Sequence, residues 1–214
     1  MAHTLPARRV GMFGGAFDPP HWAHRALAET ALRQLGLDVL HILPTGHAWH
    51  KSRVLSSAED RVAMCELAFG DLPKVQLDER EIHREGPSYT ADTLRELQRE
   101  YPQAQLFLVL GADQLLAFRN WVRWQEVLDL ATLAVANRAT NIGADAPLDQ
   151  ATETDLSGVD LPFEPLHMPL KNISATAVRA RVGRHTRSQD ALDVLVPEPV
   201  ARYISQHHLY QPPT

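Results

Sequence analysis

The sequence predicts an α/β fold, in which a parallel sheet is covered by helices on both faces. Short apolar runs alternate with amphipathic helical patterns along the 214 residues. One run, QLFLVLG at 105–111, is apolar without alternation, which is typical of a strand buried on both faces. The last part of the chain, from about residue 172, shows only helical patterns. We therefore expect a Rossmann-like, doubly wound parallel sheet with a small C-terminal helical subdomain at 172–214.

The first half of the chain alternates three strands with three helices. The strands are apolar runs between turn residues, and the helices repeat apolar residues every three to four positions. Gly36, Gly70 and Pro102 end the three helices, and Ser57 is a candidate N-cap of the second. In order, the predicted elements are strand 8–13, helix 24–36, strand 38–44, helix 57–70, strand 75–81 and helix 88–102.

The second half continues the alternation and then becomes helical. Trp121 and Trp124 share one face of a predicted helix, where we expect Trp124 in the core and Trp121 exposed at the helix start. In order, the predicted elements are strand 105–111, helix 120–130, strand 131–137, a polar loop at 139–160, strand 163–168, helix 174–183 and helix 197–208.

Charge and cysteine content exclude several classes of protein. The net charge of −5 and the pI of about 6.1 are not those of a general nucleic-acid binder. No apolar run approaches the roughly 20 residues that span a bilayer, and the first ten residues lack the apolar core of a signal peptide. The single cysteine, Cys65, excludes an internal disulfide. We expect a cytoplasmic protein with no nucleic-acid or membrane partner, and the sequence leaves open whether it forms a homo-oligomer.

The stretch FGGAFDPPHWAH at 13–24 predicts a phosphate site. Gly14 and Gly15 follow the first strand, where ligands bind in such sheets, and they let a phosphate approach backbone N–H groups. The stretch is neither a G-x-G-x-x-G nor a G-K-[ST] motif. Two prolines begin a helix, and His21 and His24 share one face at its N-terminus, which is already an anion site. Imidazole N–H donors would complete a phosphate cradle there.

Two other interpretations of the histidine pair remain open. An H-x-x-H pair on a helix can hold a metal ion, but Glu29 lies on a later turn without the spacing of a third ligand. The pair can also be purely structural. We expect no metal ion held by the protein.

The stretch NISATAVRAR predicts a second anion site. Ser174 is a candidate N-cap, and Ile173 with Val178 has the spacing of a hydrophobic staple. Thr176 and Arg179 share a face near the helix start, where a hydroxyl and a guanidinium suit the outer phosphates of a nucleotide.

Together, GGAFDPPHWAH and ISATAVR resemble the paired signature of the nucleotidyltransferase superfamily, G-x-F-x-P-x-H-x-x-H and I-S-x-T-x-x-R. Within it, the chain resembles the bacterial nicotinate-nucleotide adenylyltransferases over nearly its whole length. The resemblance is carried by LPTGHAWHK, LDEREIHREGPSYTADTL, LGADQLLAFRNW, LAVANR and LVPEPVARYISQHHLY. It implies one nucleotidyltransferase domain over 1–214 and adenylyl transfer from ATP to nicotinate mononucleotide in NAD biosynthesis, with Mg²⁺ accompanying ATP.

The resemblance also implies roles for individual residues. The catalytic residues are His21, His24 and Arg179. The ATP site comprises Gly14, Gly15, Phe17, His21, His24, Asp113, Arg138, Ser174, Thr176 and Arg179. On the acceptor side, His50 and Lys51 face the mononucleotide phosphate, Trp121 stacks on the pyridine ring and Thr90 lies near its carboxylate.

Rival functions are a related adenylyl- or cytidylyltransferase with another acceptor, a metal-dependent hydrolase that uses the H-x-x-H pair, and a nucleotide-binding regulator without catalysis. The chain length, Trp121 and the stretch PSYTADTL favour nicotinate mononucleotide as the acceptor over the acceptor of a sister transferase. The intact pair of signatures disfavours a regulator without catalysis.

Overall fold

A parallel sheet forms the centre of the structure, a computed structural model that describes residues 8–46, 55–137, 153–169, 172–184 and 192–211. Within these residues its six strands are β1 Arg9–Gly15, β2 Val39–Pro44, β3 Val75–Leu77, β4 Gln105–Gly111, β5 Thr132–Ala136 and β6 Glu164–Leu166. Their order is β3-β2-β1-β4-β5-β6, and every neighbouring pair is parallel. This confirms the predicted doubly wound sheet. The strand order reverses between β1 and β4, where such folds bind their ligands.

Helices cover both faces of the sheet. They are α1 Trp22–Gln34, α2 Ala58–Phe69, α3 Arg80–His83, α4 Thr90–Glu100, α5 Ala112–Leu116, α6 Trp124–Leu130, α7 Ala175–Arg184 and α8 Glu198–Gln206, with a 3₁₀ turn at Phe118–Asn120. One core cluster joins β1 and β2 to α1, α2, α7 and α8, and a second joins the sheet to α4, α5 and α6. The predicted helices thus occupy the two layers that the alternation requires.

Two predicted caps form as expected. The Ser57 hydroxyl accepts a hydrogen bond from the Asp60 N–H at 3.0 Å, and α2 ends at Gly70. The Ser174 hydroxyl accepts from the Ala177 N–H at 3.1 Å and caps α7. These local signals are reliable because both partners lie within three residues of each other.

Two element boundaries differ from the prediction. The strand expected at 75–81 ends at Leu77. The Asp78 carboxylate accepts a hydrogen bond from the Arg80 N–H at 3.1 Å, and this local contact turns the chain into α3, which begins at Arg80. The helix expected at 120–130 begins only at Trp124, because Arg123 has a left-handed backbone (φ 58°). The expected contrast between Trp121 and Trp124 is wrong, since both indoles are partly buried against the same core cluster.

The C-terminal helices pack into the main core. Val178 and Val182 of α7, and Val200 and Ile204 of α8, belong to the cluster that covers β1 and β2. The backbone N–H of Trp22, at the start of α1, donates to the Leu195 carbonyl at 3.0 Å. The subdomain boundary near residue 172 stays a prediction. No helix in the described part of the chain is long and apolar enough to cross a membrane.

Candidate active site

The opening motif lies at the switch point of the sheet. Gly14 and Gly15 end β1, and Gly111 ends the neighbouring strand β4. The glycine pair lies at the end of the first strand, as predicted. The carboxyl ends of the two strands lie side by side at the position where such folds bind their ligands, which we call the crevice.

The ring of Phe17 packs in the core beneath the opening motif, against Phe13 and His24. Its backbone is left-handed (φ 46°), and its ring is buried, with 2% of the residue exposed. The ring contacts the edge of His24 at 5.1 Å and that of Phe13 at 5.4 Å between centroids. A Cβ at Gly15 would lie 3.1 Å from the same ring, so this position favours glycine. Because the ring is buried, a nucleotide contact from Phe17 would come from its backbone.

The two histidines stack on each other at the start of α1. His21 precedes the helix as its N-cap residue and His24 lies in the first turn. Their rings are 3.6 Å apart and nearly parallel, at 16°. His21 is buried, whereas His24 is partly exposed. The pair places imidazole nitrogens beside the first N–H groups of a 13-residue helix, whose N-terminus attracts anions.

Arg179 brings the second signature to the first. One Nη donates to the backbone carbonyl of Asp18 at 2.7 Å, and the other donates to the Thr176 hydroxyl at 3.0 Å. The two signatures, 161 residues apart at this contact, therefore meet in space. The contacts of Arg179 bring α7 close to the residues that enter α1, so a guanidinium and two helix N-termini lie near one another, an arrangement suited to a polyphosphate.

Asp113 lies at the end of β4, in the first turn of α5. A Cβ at Gly111 would lie 2.7 Å from its Oδ1, so glycine lets the carboxylate fold back against the strand end. This places an acceptor at the edge of the crevice, on the β4 side.

Thr90 and Trp121 lie in segments that are tied together. Thr90 is the first residue of α4, and Trp121 follows the 3₁₀ turn, with its ring 5.3 Å from that of Phe118. Asp92 of α4 forms an ion pair with Arg123 at 2.5 Å, so the segments that contain Thr90 and Trp121 are neighbours. Three of the residues implied by the resemblance, His50, Lys51 and Arg138, lie outside the described residues.

Four polar residues make contacts that the sequence did not predict. Arg61 is a buried cation on α2 that donates to three backbone carbonyls, and burial lowers its pKa. Asp18, Tyr210 and Glu81 are the others. The burial of Arg61 and Glu81 is hard to predict from the sequence, because charged residues on helices are usually exposed.

The side chains near the histidine pair bear on metal ligation. Among the described residues, no group of three or more His, Cys, Asp or Glu side chains is placed to hold a metal ion. The groups that converge at the crevice are mostly N–H donors and a guanidinium, which suit phosphate oxygens better than a cation.

Comparison with known proteins shows similarity along nearly the whole chain. Residues 12–181 match the cytidylyltransferase-like family. The chain is 53% identical over 204 residues to the probable nicotinate-nucleotide adenylyltransferase of Albidiferax ferrireducens, covering 95% of this chain and 98% of that protein. It is 44% identical over 211 residues to the protein of the same name from Methylibium petroleiphilum, covering 99% and 96% of the two chains.

Solved structures show the same fold at low identity. The Plasmodium falciparum nicotinic acid mononucleotide adenylyltransferase complexed with NaAD superposes with a TM-score of 0.76 at 16% identity, covering 95% of this chain and 97% of that chain. The same enzyme complexed with APC gives a TM-score of 0.75 with the same coverage.

Proposed function

Because the chain belongs to the nicotinate-nucleotide adenylyltransferase family, we propose that it transfers the adenylyl group of ATP to nicotinate mononucleotide. The products are nicotinate adenine dinucleotide (deamido-NAD) and pyrophosphate, in NAD biosynthesis. The observation that carries the proposal is the contact of Arg179 with the Asp18 carbonyl, which joins the two phosphate-binding signatures at the switch point of the sheet.

The reaction is an in-line displacement at phosphorus. A phosphate oxygen of the mononucleotide attacks the α-phosphorus of ATP, the bond to the bridging α,β-oxygen breaks, and pyrophosphate leaves with that electron pair. No side chain needs to become covalently attached. The protein's task is to align two anions and to stabilise the charge that develops on the phosphate oxygens. We assign this catalytic role to His21, His24 and Arg179.

We assign the ATP site to the same region. The backbone of the loop at Gly14, Gly15 and Phe17 faces the phosphates, and Ser174 and Thr176 contribute the N-terminus of α7. Asp113 and Arg138 complete this site near the adenosine. The place of Asp113 at the end of β4 supports its assignment.

The acceptor site is assigned to the α4 side of the crevice. Trp121 stacks on the pyridine ring, and the N-terminus of α4 at Thr90 offers backbone N–H groups to the carboxylate. His50 and Lys51 bind the mononucleotide phosphate. The ion pair between Asp92 and Arg123 supports the nearness of the Thr90 and Trp121 segments.

ATP enters as its magnesium complex, and we treat the ion as part of the substrate. The donors at the crevice support this, because they suit the phosphate oxygens and leave Mg²⁺ to the phosphates and water. The proposal takes 1–214 as one nucleotidyltransferase domain. It places the reaction in the cytoplasm, in keeping with the single, buried thiol of Cys65.

Pyrophosphate release with ATP and either nicotinate or nicotinamide mononucleotide tests the proposal. Helix N–H donors favour a carboxylate over an amide, whose NH₂ would point donors at donors. A mismatched polar contact costs about 1–3 kcal/mol, so we expect kcat/KM to be at least about tenfold higher for the nicotinate form. Equal use of both, or preference for the amide, would contradict the assigned ring pocket.

Three further assays distinguish the proposed function from its rivals. Replacing ATP by CTP tests for a cytidylyltransferase. Release of pyrophosphate only with a different acceptor phosphate would indicate a sister enzyme. A stoichiometric metal ion in the purified protein, together with hydrolysis in the absence of any acceptor, would indicate the metal-dependent hydrolase.

A further inference from the structure

The carboxylate of Asp18 holds three distant segments together. Asp18 is buried, with 2% of the residue exposed. Its Oδ1 accepts from the Tyr210 hydroxyl at 2.6 Å, and its Oδ2 accepts from the backbone N–H of Ser56 at 3.2 Å. Its own carbonyl accepts from Arg179 at 2.7 Å. One residue of the opening motif therefore contacts three segments: the residues that enter α2 (55–57), helix α7, and the C-terminal tail, which we define as α8 and the residues after it (198–211).

Ser56 is held from two sides. Its N–H donates to Asp18, and its carbonyl accepts from Arg61 Nε at 3.2 Å. Arg61 Nη1 also donates to the carbonyls of Ala16 at 3.2 Å and Thr45 at 2.7 Å, which follow β1 and β2. The loop after β1 and the segment that enters α2 are thus joined by two buried, oppositely charged side chains.

A buried carboxylate must keep its donors, because burying an ion without hydrogen bonds is costly. Tyr210 supplies a donor from the end of the chain, 192 residues away. Burial and the hydrogen bond to Asp18 both raise the pKa of Tyr210, so the hydroxyl stays protonated at physiological pH.

We propose that Tyr210 is a positioning residue for the transfer reaction: by donating to Asp18 it aligns the ATP-binding loop and Arg179 with the segment that enters α2. The proposal rests on the proposed function, in which the loop after β1 binds ATP and Arg179 contacts its outer phosphates. The C-terminal tail thereby controls the alignment of ATP with Arg179.

Tyr203 provides a matched control. It belongs to the same C-terminal segment, and its hydroxyl donates to an aspartate carboxylate, Asp60 Oδ1, at 3.0 Å. Asp60 lies in the first turn of α2. If the tail only anchors α8 to the body, Tyr210→Phe and Tyr203→Phe should lower thermal stability alike and leave the kinetics alike.

The test compares steady-state kinetics of the two phenylalanine variants with those of the wild type. Misalignment of two reacting groups affects the chemical step more than ground-state binding. We expect Tyr210→Phe to lower kcat by about tenfold or more while both KM values change by less than about threefold. Tyr203→Phe should stay within about twofold of the wild type in kcat. An unchanged kcat in Tyr210→Phe, or equal losses in both variants, would overturn the proposal.

Asp18→Asn supplies a second variant and a double-mutant cycle. If Tyr210 acts through Asp18, the double variant should lose little more activity than the more affected single variant. Additive losses would mean that Tyr210 acts elsewhere.

Hydrogen exchange of the free protein separates failure of this proposal from failure of the proposed function. Deuterium uptake in peptides covering 13–24 and 55–61 should rise in Tyr210→Phe and not in Tyr203→Phe. This readout needs no substrate. If the wild type releases no pyrophosphate with either mononucleotide, the proposed function is wrong. If uptake is the same in both variants, the positioning role is wrong whatever the activity.

Discussion

His24 shows how packing positions single side chains at the candidate site. Its ring is enclosed by Phe17, Phe13 and His21, with centroid distances of 5.1, 6.0 and 3.6 Å. A ring held on three sides has few rotamers to lose when it meets a phosphate, so a contact made by it costs little conformational entropy.

His24→Ala should lower kcat by about 10²–10³, because a donor to developing charge is lost. His21→Ala should act in the same direction, since it removes both a proposed donor and the ring against which His24 stacks. His83→Ala is the control, because 73% of that side chain is exposed on α3. Pyrophosphate-release kinetics and thermal melts would check the prediction. A folded His24→Ala enzyme with turnover within threefold of the wild type would remove His24 from the catalytic residues.

Arg179→Ala should raise KM for ATP more than KM for the mononucleotide. The guanidinium contacts the loop that we assign to ATP. Losing a charge-assisted contact costs about 1.5–3 kcal/mol, or roughly tenfold or more in affinity. Arg181→Ala is the control, since Arg181 is an exposed residue two positions later on α7. Equal changes in the two KM values would place Arg179 away from the ATP phosphates.

At the scale of the element, β1 contains glycines of two kinds. A Cβ at Gly11 would lie 2.6 Å from the Leu37 side chain and 2.7 Å from the Leu40 side chain, both buried, so packing favours glycine there. A Cβ at Gly14 would meet nothing closer than 3.9 Å. Packing does not explain Gly14, whereas close approach of a phosphate to the strand end would.

Gly14→Ala should therefore affect catalysis, whereas Gly11→Ala should affect stability. Gly14→Ala should change the free energy of unfolding by less than about 1 kcal/mol and lower kcat/KM for ATP by about tenfold. Gly11→Ala overpacks the core and should cost about 1–3 kcal/mol of stability with KM for ATP unchanged. Urea denaturation and kinetics on both variants would measure this. If Gly14→Ala has normal ATP kinetics, the phosphate does not approach this strand end.

At the scale of the whole molecule, buried polar groups connect the layers. Glu81 is 6% exposed and accepts from the hydroxyls of Thr93 on α4 at 2.8 Å and Thr45 after β2 at 3.2 Å. Burial raises its pKa above the usual 4.5, and the hydrogen bond from Thr93 offsets this only in part. The stability that this group contributes is present in full below pH 4.5 and is lost as the pH rises through the raised pKa.

Glu81→Gln should therefore gain stability relative to the wild type as the pH rises. The amide avoids the buried charge, and the threonine hydroxyls can rotate to accept from its NH₂. Urea denaturation between pH 4.5 and pH 8, with Glu66→Gln as a control for removing an exposed carboxylate, would measure the difference. A difference between Glu81→Gln and the wild type that is constant with pH, or that shrinks as the pH rises, would contradict the cost of ionising Glu81 in the fold.

The amino-acid sequence alone allows prediction of the fold class, the helix caps and the two nucleotidyltransferase signatures. These depend on contacts within a few residues, such as Ser57 with Asp60 and Ser174 with Ala177, or on the apolar run of β4. Hydrophobic periodicity and capping act locally, so a single chain displays them without its fold. The roles assigned to individual site residues stay predictions.

Tertiary packing sets the strand order, the contact of Arg179 with Asp18 and the burial of Asp18 beside Ser56 and Tyr210. It also sets the start of α6 and leaves both Trp121 and Trp124 partly buried. The physical reason is that partners 161 and 192 residues apart are chosen by the packing of whole layers. No local pattern records which distant carboxylate will receive a hydroxyl at the end of the chain.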